Sequence, residues 1–252
     1  IKALGSMEAF NQEFGNVFIE TGESAVDDEL FEKMKLHCCE PEFVFDDGCY
    51  HVWEEPEQDK EYVIGVDVAE GIGDNASVIQ VIDITDLTNI KQVAVYHNNK
   101  ITPYNFTAKL FEILQHWGSP LAAIERNNCG AQVVDQLYNT HGYTNLVHFS
   151  PNANKSTSYS DRLGVVAHTN TKYKGVMNMR YWINELSVIS IKDIRTLNEL
   201  RTFVRYPNGS WAGKREGGVF DDRVMSLIWS LIVLEKEVTE KHYDIIQLDD
   251  NG

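Results

Sequence analysis

Four carboxylates in this sequence stand where carboxylates are costly or where helices begin. Asp67 lies at the end of YVIGVDV, Tyr62 to Val68, a nearly continuous apolar run of strand length. Such a run reads as a strand buried on both faces, and an ionised group there costs several kcal/mol unless a cation compensates it. Glu125 stands in the same relation to LAAIE, Leu121 to Glu125. Asp221 and Asp222 open the last amphipathic run, in which Val224, Leu227, Ile228, Leu231 and Leu234 share one helical face. If the two strands are neighbours, these acidic positions converge at one edge of a sheet. The cluster then needs a cation to stay ionised, and its hard oxygen donors suit Mg²⁺ or Mn²⁺. Phosphodiester hydrolysis by two metals about 3.5 to 4 Å apart requires this kind of set, with one carboxylate bridging both ions and others holding each. Asp67 is the natural bridge. Taken singly, the residues have plainer readings: Asp221 or Asp222 as a helix N-cap, and Glu125 as a partner of Arg126. The order strand, strand, helix start joins them.

The elements that must position these residues can be read along the chain. Residues 1–6 read as an expression leftover outside the fold. Residues 7–58 read as a helical linker segment, with Ser24 and Asp27 before the periodic Leu30, Phe31, Met34 and Leu36. The acidic EEPEQDKE, Glu54 to Glu61, puts a boundary near residue 58. The main domain is expected over 59–236, followed by a tail over 237–252. Within it, Tyr62 to Val68, Ser77 to Asp83 and Lys91 to His97 form a three-strand meander, the first two joined by the turn EGIGDN. Helices are expected from Pro103 to Trp117, from Gly130, over Lys172 to Leu186 and over Asp193 to Phe203, with strands at Leu121 to Glu125 and Leu146 to Phe149. Tyr206 to Gly217 carries the punctuation of a hairpin. A meander followed by alternating helices and strands gives an α/β mixed sheet flanked by helices, not a doubly wound parallel one.

The bulk composition sets the bounds. A chain of 252 residues, 43% of them hydrophobic, can bury a large core. Cys38, Cys39, Cys49 and Cys129 show neither a disulfide framework nor zinc-ligand spacing, which points to a reducing compartment. No apolar run reaches bilayer length and no signal peptide opens the chain, so a soluble intracellular protein is expected. The formal net charge of −16 argues against a polyanionic partner. That average hides an asymmetry, because Pro151 to Arg223 holds twelve Lys or Arg against seven Asp or Glu. Lys155, Arg162, Lys172, Lys174, Arg180, Lys214 and Arg215 are the candidates for contacts to a phosphate backbone; the plainer reading is that they decorate solvated helix faces. Glu70, Asp74 and Asp83 could add accessory ligation near Asp67 but read first as solvated turn residues. His148 and His168 are left out of the core site, and of the five tryptophans only Trp211, on the expected hairpin, is a candidate for base stacking.

Three motifs make a more specific pattern. YVIGVDVAEG, IERNNCGAQVVDQL and VFDDRVMSLIWSL resemble, in order and context, the nuclease domain of the large terminase subunit of tailed bacteriophages, most like the T-even type. The resemblance covers Tyr62 to Leu234, and FNQEFGNVFIETGESAVDDELFEKM resembles the stretch that leaves that family's ATPase domain. It implies an RNase H-like fold, Mg²⁺ or Mn²⁺, and an endonuclease that cuts concatemeric double-stranded DNA during packaging. The implied metal ligands fall on Asp67, Glu125 and the Asp221 and Asp222 pair, with the turn Asn127, Asn128 and Gly130 shaping the site. The implied partners are the ATPase domain, the portal and the small terminase subunit, in the host cell cytoplasm, with no membrane. One feature departs from the family: no GxxxxGK[ST] loop is present, so a nuclease portion without its motor is implied. A Holliday-junction resolvase or ribonuclease of the same fold, and a DNA-guiding module that does not cut, are the competing readings.

Overall fold

The computed structural model describes residues 23–148, 163–214 and 220–234. The meander is present: β3 (Tyr62–Asp67), β4 (Ser77–Asp83) and β5 (Ile90–Asn98) pair antiparallel in sequence. β6 (Leu121–Ile124) then lies parallel to β3 on its other side, reached through α2 (Pro103–His116) as a crossover helix. Thr102 caps that helix by accepting the Asn105 N–H, and Pro103 fills a first-turn position where no donor is needed. α3 (Gly130–Asn139) follows β6 and packs beside α2.

Two short strands were not expected. β1 (Phe43–Phe45) and β2 (Tyr50–Val52) extend the sheet beyond β5, in the order β1-β2-β5-β4-β3-β6. Residues assigned above to a helical linker therefore belong to the sheet, on the linker side of the boundary expected near 58. Three-residue strands leave too short an alternation to be read, and β1 is exposed throughout. The helix expected over Leu30 to Leu36 is present as α1 (Asp28–Lys35), capped by Asp27.

One face of the sheet carries α2 and α3 over Ile64, Val66, Ile79 and Val81. The other carries α4 (Thr169–Arg180), α5 (Ile194–Thr202), the hairpin of β8 (Phe203–Arg205) and β9 (Trp211–Gly213), and α6 (222–234). The helix expected to run on to Leu186 ends earlier, with residues Tyr181–Glu185 widening into a π turn, and β7 (Ile189–Ser190) adds to the start of β5. Leu146 makes only an isolated bridge to Ala122, not a full strand. Among the described residues no helix is long and apolar enough to cross a membrane.

α6 is buried along most of its length, with Val224, Leu227, Ile228, Trp229, Leu231 and Leu234 at 0% exposure. It lies directly on β3, and Gly65 is what permits this. A Cβ at Gly65 would stand 2.0 Å from the Ser226 carbonyl oxygen and 2.3 Å from the Ser230 amide nitrogen. Backbone cannot yield as a flexible side-chain end can, so Gly65→Ala must lift the helix or bend the strand. We expect Gly65→Ala to lower the unfolding free energy by about 3 kcal/mol, read from the midpoint of urea denaturation; a loss under about 1 kcal/mol would mean that the helix slides freely over the strand.

Candidate metal centre

The register of two strands brings the first pair of carboxylates together. Gly65 lies opposite Ala123 and Val66 opposite Ile124 in the parallel β3 and β6 ladder, and the Glu125 N–H continues it by donating to Val66 O at 3.0 Å. Asp67 and Glu125 are thus neighbours at the carboxyl ends of adjacent strands. Both also face α6, since side chains alternate and Val63, Gly65 and Ala123 lie on that side.

The helix supplies the second pair. Ser226 sits over Gly65; Asp222, one turn earlier, extends roughly 6 Å along the helix toward the strand end, where Asp67 stands two residues beyond Gly65. Asp222 is 6% exposed, and its Oδ2 accepts the Ala76 N–H at 2.8 Å, tying it to the loop between β3 and β4. Asp221 precedes the helix. Its Oδ2 accepts the Gly213 N–H at 3.3 Å and lies 3.6 Å from Lys172 Nζ.

The electrostatics follow from this convergence. Burial raises the Asp67 carboxyl well above its usual range, and the charges of Glu125, Asp222 and Asp221 push it further, with Lys172 opposing. Burial likewise raises Glu125, although the indole N–H of Trp229, donating to Oε2 at 2.9 Å, and the Lys172 charge hold it down. Asp222 is pushed up to about 6, chiefly by burial. Acidic charge outweighs basic charge here: among the described residues, Lys172 opposes the rise at Asp67 and Glu125, and Arg223 opposes it at Asp222.

Among the described residues, no three His, Cys, Asp or Glu side chains already surround a point in ligand geometry. Glu125, Asp221 and Asp222 each accept a hydrogen bond from a protein donor. In chemistry the residues do fit a hard divalent cation: all donors are carboxylate oxygens, two on strand ends and two at one helix start. Their mutual repulsion is the term such a cation would remove.

Not all of the expected residues fall here. Lys172 does, on the first turns of α4. Lys174 is exposed on the same helix, while Arg180 is bound to Glu23 at 2.6 Å and covers Trp211. Lys214 is exposed and follows β9, whose Gly213 touches Asp221, so the hairpin does flank the site. Lys155, Arg162 and Arg215, and the loop 150–161, lie outside the described residues. Asp83 is a correction: it pairs with Tyr62 at the far end of β4, five residues or roughly 17 Å from Asp67, and lies 3.6 Å from Lys60. Glu70 and Asp74 are exposed on the turn. Trp211 is 3% exposed and stacked on Phe203, so it is core, not a platform for bases. Asn127 bonds both the N–H and the carbonyl of Ala167, which pins the turn after Glu125.

Trp229 and Arg223 were missed as contributors. Trp229 is not among the candidates drawn from the sequence, yet its spacing seven residues after Asp222 and four before Val233 puts its polar edge on the sheet-facing side. Nothing in the local sequence marks Arg223.

No protein-family model matches the chain. Solved structures do resemble it. The large terminase nuclease from the thermophilic phage G20c with bound cobalt superposes with a TM-score of 0.59 at 20% identity, over 80% of this chain and 95% of that one. The same nuclease with bound magnesium gives 0.57 at 20% identity, over 80% and 95%. The large terminase nuclease domain of Thermus phage P74-26 gives 0.55 at 21% identity, over 80% and 93%. At this identity the likeness establishes the fold, which is that of the RNase H-like terminase nuclease domains.

A raised carboxyl makes a stability prediction that needs no substrate. The unfolded chain loses the Asp67 proton near the ordinary carboxyl value of 3.8, whereas the folded chain holds it to higher pH. Ionisation therefore costs stability as pH rises through that window, and the penalty is present in full above the folded value. In EDTA at neutral pH, Asp67→Asn should unfold roughly 2–4 °C above the native chain, the shift that about 1 kcal/mol produces in a domain of this size. At pH 3.5 the gain should vanish. An equal or lower unfolding temperature at neutral pH would mean that Asp67 is not under the repulsion described.

Proposed function

We propose that this chain is the nuclease portion of a large terminase, a metal-dependent endonuclease that cuts concatemeric double-stranded viral DNA during packaging in the host cytoplasm. The observation that carries the reading is the strand register that sets Asp67 beside Glu125 under the start of α6. Mg²⁺ or Mn²⁺, most simply two ions, would be held by Asp67, Glu125, Asp221 and Asp222. When bound, such ions supply a nucleophile from water and neutralise the charge that develops on the leaving oxygen.

The protein's own part is positioning. Asp67, at the end of a rigid central strand, is shared between the strand side and the helix side of the cluster. Trp229 fixes the rotation of the Glu125 carboxylate from below. The Ala76 N–H holds one oxygen of Asp222 and leaves the other to the site. Lys172, whose Nζ lies 3.6 Å from Asp221 Oδ2 and over the Phe203 ring at 5.6 Å from its centroid, adds positive charge where a phosphate must approach a negative cluster. Lys174 and Lys214 extend that charge over α4 and the hairpin and would contact the backbone without reading sequence. The ATPase domain, the portal and the small terminase subunit are the proposed partners, following the T-even-type resemblance of the three motifs. The fit of a carboxylate set rather than a plain basic groove favours cutting over clamping, since a clamp gains nothing from acid beside phosphates.

Plasmid cleavage tests this directly. The native chain should convert supercoiled DNA in Mg²⁺ or Mn²⁺, and Asp67→Asn should reduce the rate by at least about a thousandfold. Supercoiled DNA left intact by the native chain in both metals would defeat the nuclease reading; retained, salt-sensitive binding would then favour the guiding module. Reversing both Lys172 and Lys174 to Glu should weaken binding and flatten the salt slope by about two. An unchanged slope would return those lysines to the solvated face.

A further inference from the structure

Behind the carboxylate pair lies a second polar cluster that the proposed chemistry does not use. Arg223, the residue after Asp222, is only 8% exposed, and its peptide group and guanidinium Nη1 are hydrogen-bonded, while its Nε has no hydrogen-bond partner. Its peptide N–H donates to Glu199 Oε2 at 2.8 Å, and its guanidinium Nη1 donates to the other oxygen, Oε1, at 2.8 Å. Its carbonyl accepts from the buried Gln80 side chain at 3.3 Å and from Ser226 Oγ at 3.0 Å. Its Nε lies 3.4 Å from Asp193 Oδ2.

Glu199 thus caps α6 from another helix. The first N–H groups of a helix have no partner within it, and a carboxylate is the best acceptor they can find. Here the acceptor comes from α5, twenty-four residues away, and grips backbone and side chain of one residue at once. A two-point grip fixes rotation about the helix axis as well as position. Asp193 serves α5 in the same way, accepting the Arg195 N–H at 3.2 Å and the Thr196 hydroxyl at 3.0 Å. The cluster joins the starts of both helices to Gln80 on β4.

A buried carboxylate in this place is electrostatically expensive, chiefly because burial raises the Glu199 carboxyl; Arg223 opposes that rise and the charge of Asp222 adds a little to it. Apolar residues of similar volume would hold two helices together at less cost, but they would not define the rotation of the turn that carries Asp221 and Asp222.

We propose that Glu199 is a positioning residue for the metal centre: by gripping the peptide and guanidinium of Arg223, it sets the orientation from which Asp221 and Asp222 reach the cation shared with Asp67 and Glu125. This rests on the reading of those four residues as divalent-metal ligands.

The test uses the full chain with Glu199→Ala and Glu199→Gln. Three quantities are measured: the unfolding temperature in EDTA, the Mn²⁺ affinity by titration calorimetry, and the amide-exchange rate of Arg223 without metal. Partners of ligating groups typically govern metal affinity by 10–100-fold, so Glu199→Ala should weaken Mn²⁺ binding by that much and speed exchange at Arg223. Glu199→Gln keeps an oxygen for the Arg223 N–H and should lose only about threefold. Affinities within twofold of native in both variants would overturn the proposal, even with a lowered unfolding temperature, because Glu199 would then be a purely structural ion pair. Should Glu199→Ala not fold, Glu199→Gln decides by the same twofold limit. A native chain that neither binds Mn²⁺ nor cleaves DNA would overturn the metal reading itself, whereas native binding with unaltered variants overturns only the role of Glu199.

Discussion

The arrangement depends on one missing side chain. Gly65 sits in the middle of a central strand, where glycine is a poor choice for the strand itself, and the backbone of α6 occupies the space a Cβ would need. That contact fixes the height of the helix above the sheet. It also fixes what the helix can reach: Asp222 one turn toward the strand end and Trp229 across to Glu125. Gly175 on α4 makes a second close approach, to a side chain instead of backbone: a Cβ there would stand 2.6 Å from Ile228 Cγ2 on α6, and α4 carries Lys172. Two close approaches therefore place both the acidic helix start and the balancing cation.

The second theme is how a protein keeps like charges together. Four carboxylates converge, and three of them are each met by a neutral N–H donor or by Lys172. These donors are modest: an N–H relieves part of the repulsion without cancelling it, as the upward shifts of Asp67, Glu125 and Asp222 show. Away from the cluster the rule differs. Asp193, at 2% exposure, is more buried than Asp222 at 6%, yet the adjacent Arg195 and Arg223 hold its carboxyl below the usual range against the effect of burial. A paired buried acid stabilises the fold, and an unpaired group of acids is retained at a cost to it.

Much of this was legible in the sequence, and the reasons are local. The apolar run ending in Asp67, the crossover helix opened by Pro103, and the amphipathic run after Asp222 each carry their own periodicity. The convergence of Asp67 and Glu125 was conditional on strand adjacency, which the β3 and β6 register supplies. What was not legible depends on partners far along the chain. β1 and β2 are too short to show alternation, and Arg223 looks like an ordinary polar start to a helix until Glu199 is placed against it. Asp83 shows the converse: closeness in sequence to Asp67 suggested a shared site, but a strand running back the other way carries it to the opposite end.

The cluster is assembled from distant pieces of chain. The Ala76 bond to Asp222 spans 146 residues and the Trp229 bond to Glu125 spans 104. During synthesis, the strands bearing Asp67 and Glu125 emerge from the ribosome well before residues 222–234. A nascent chain up to that point holds two of its acids side by side and has no helix to close over them. Domains with such long-range closure fold slowly and late. The carboxylate cluster is thus complete only once residues 222–234 have emerged, and a nascent chain short of them carries the two strand-end acids without the helix that brings Asp221 and Asp222.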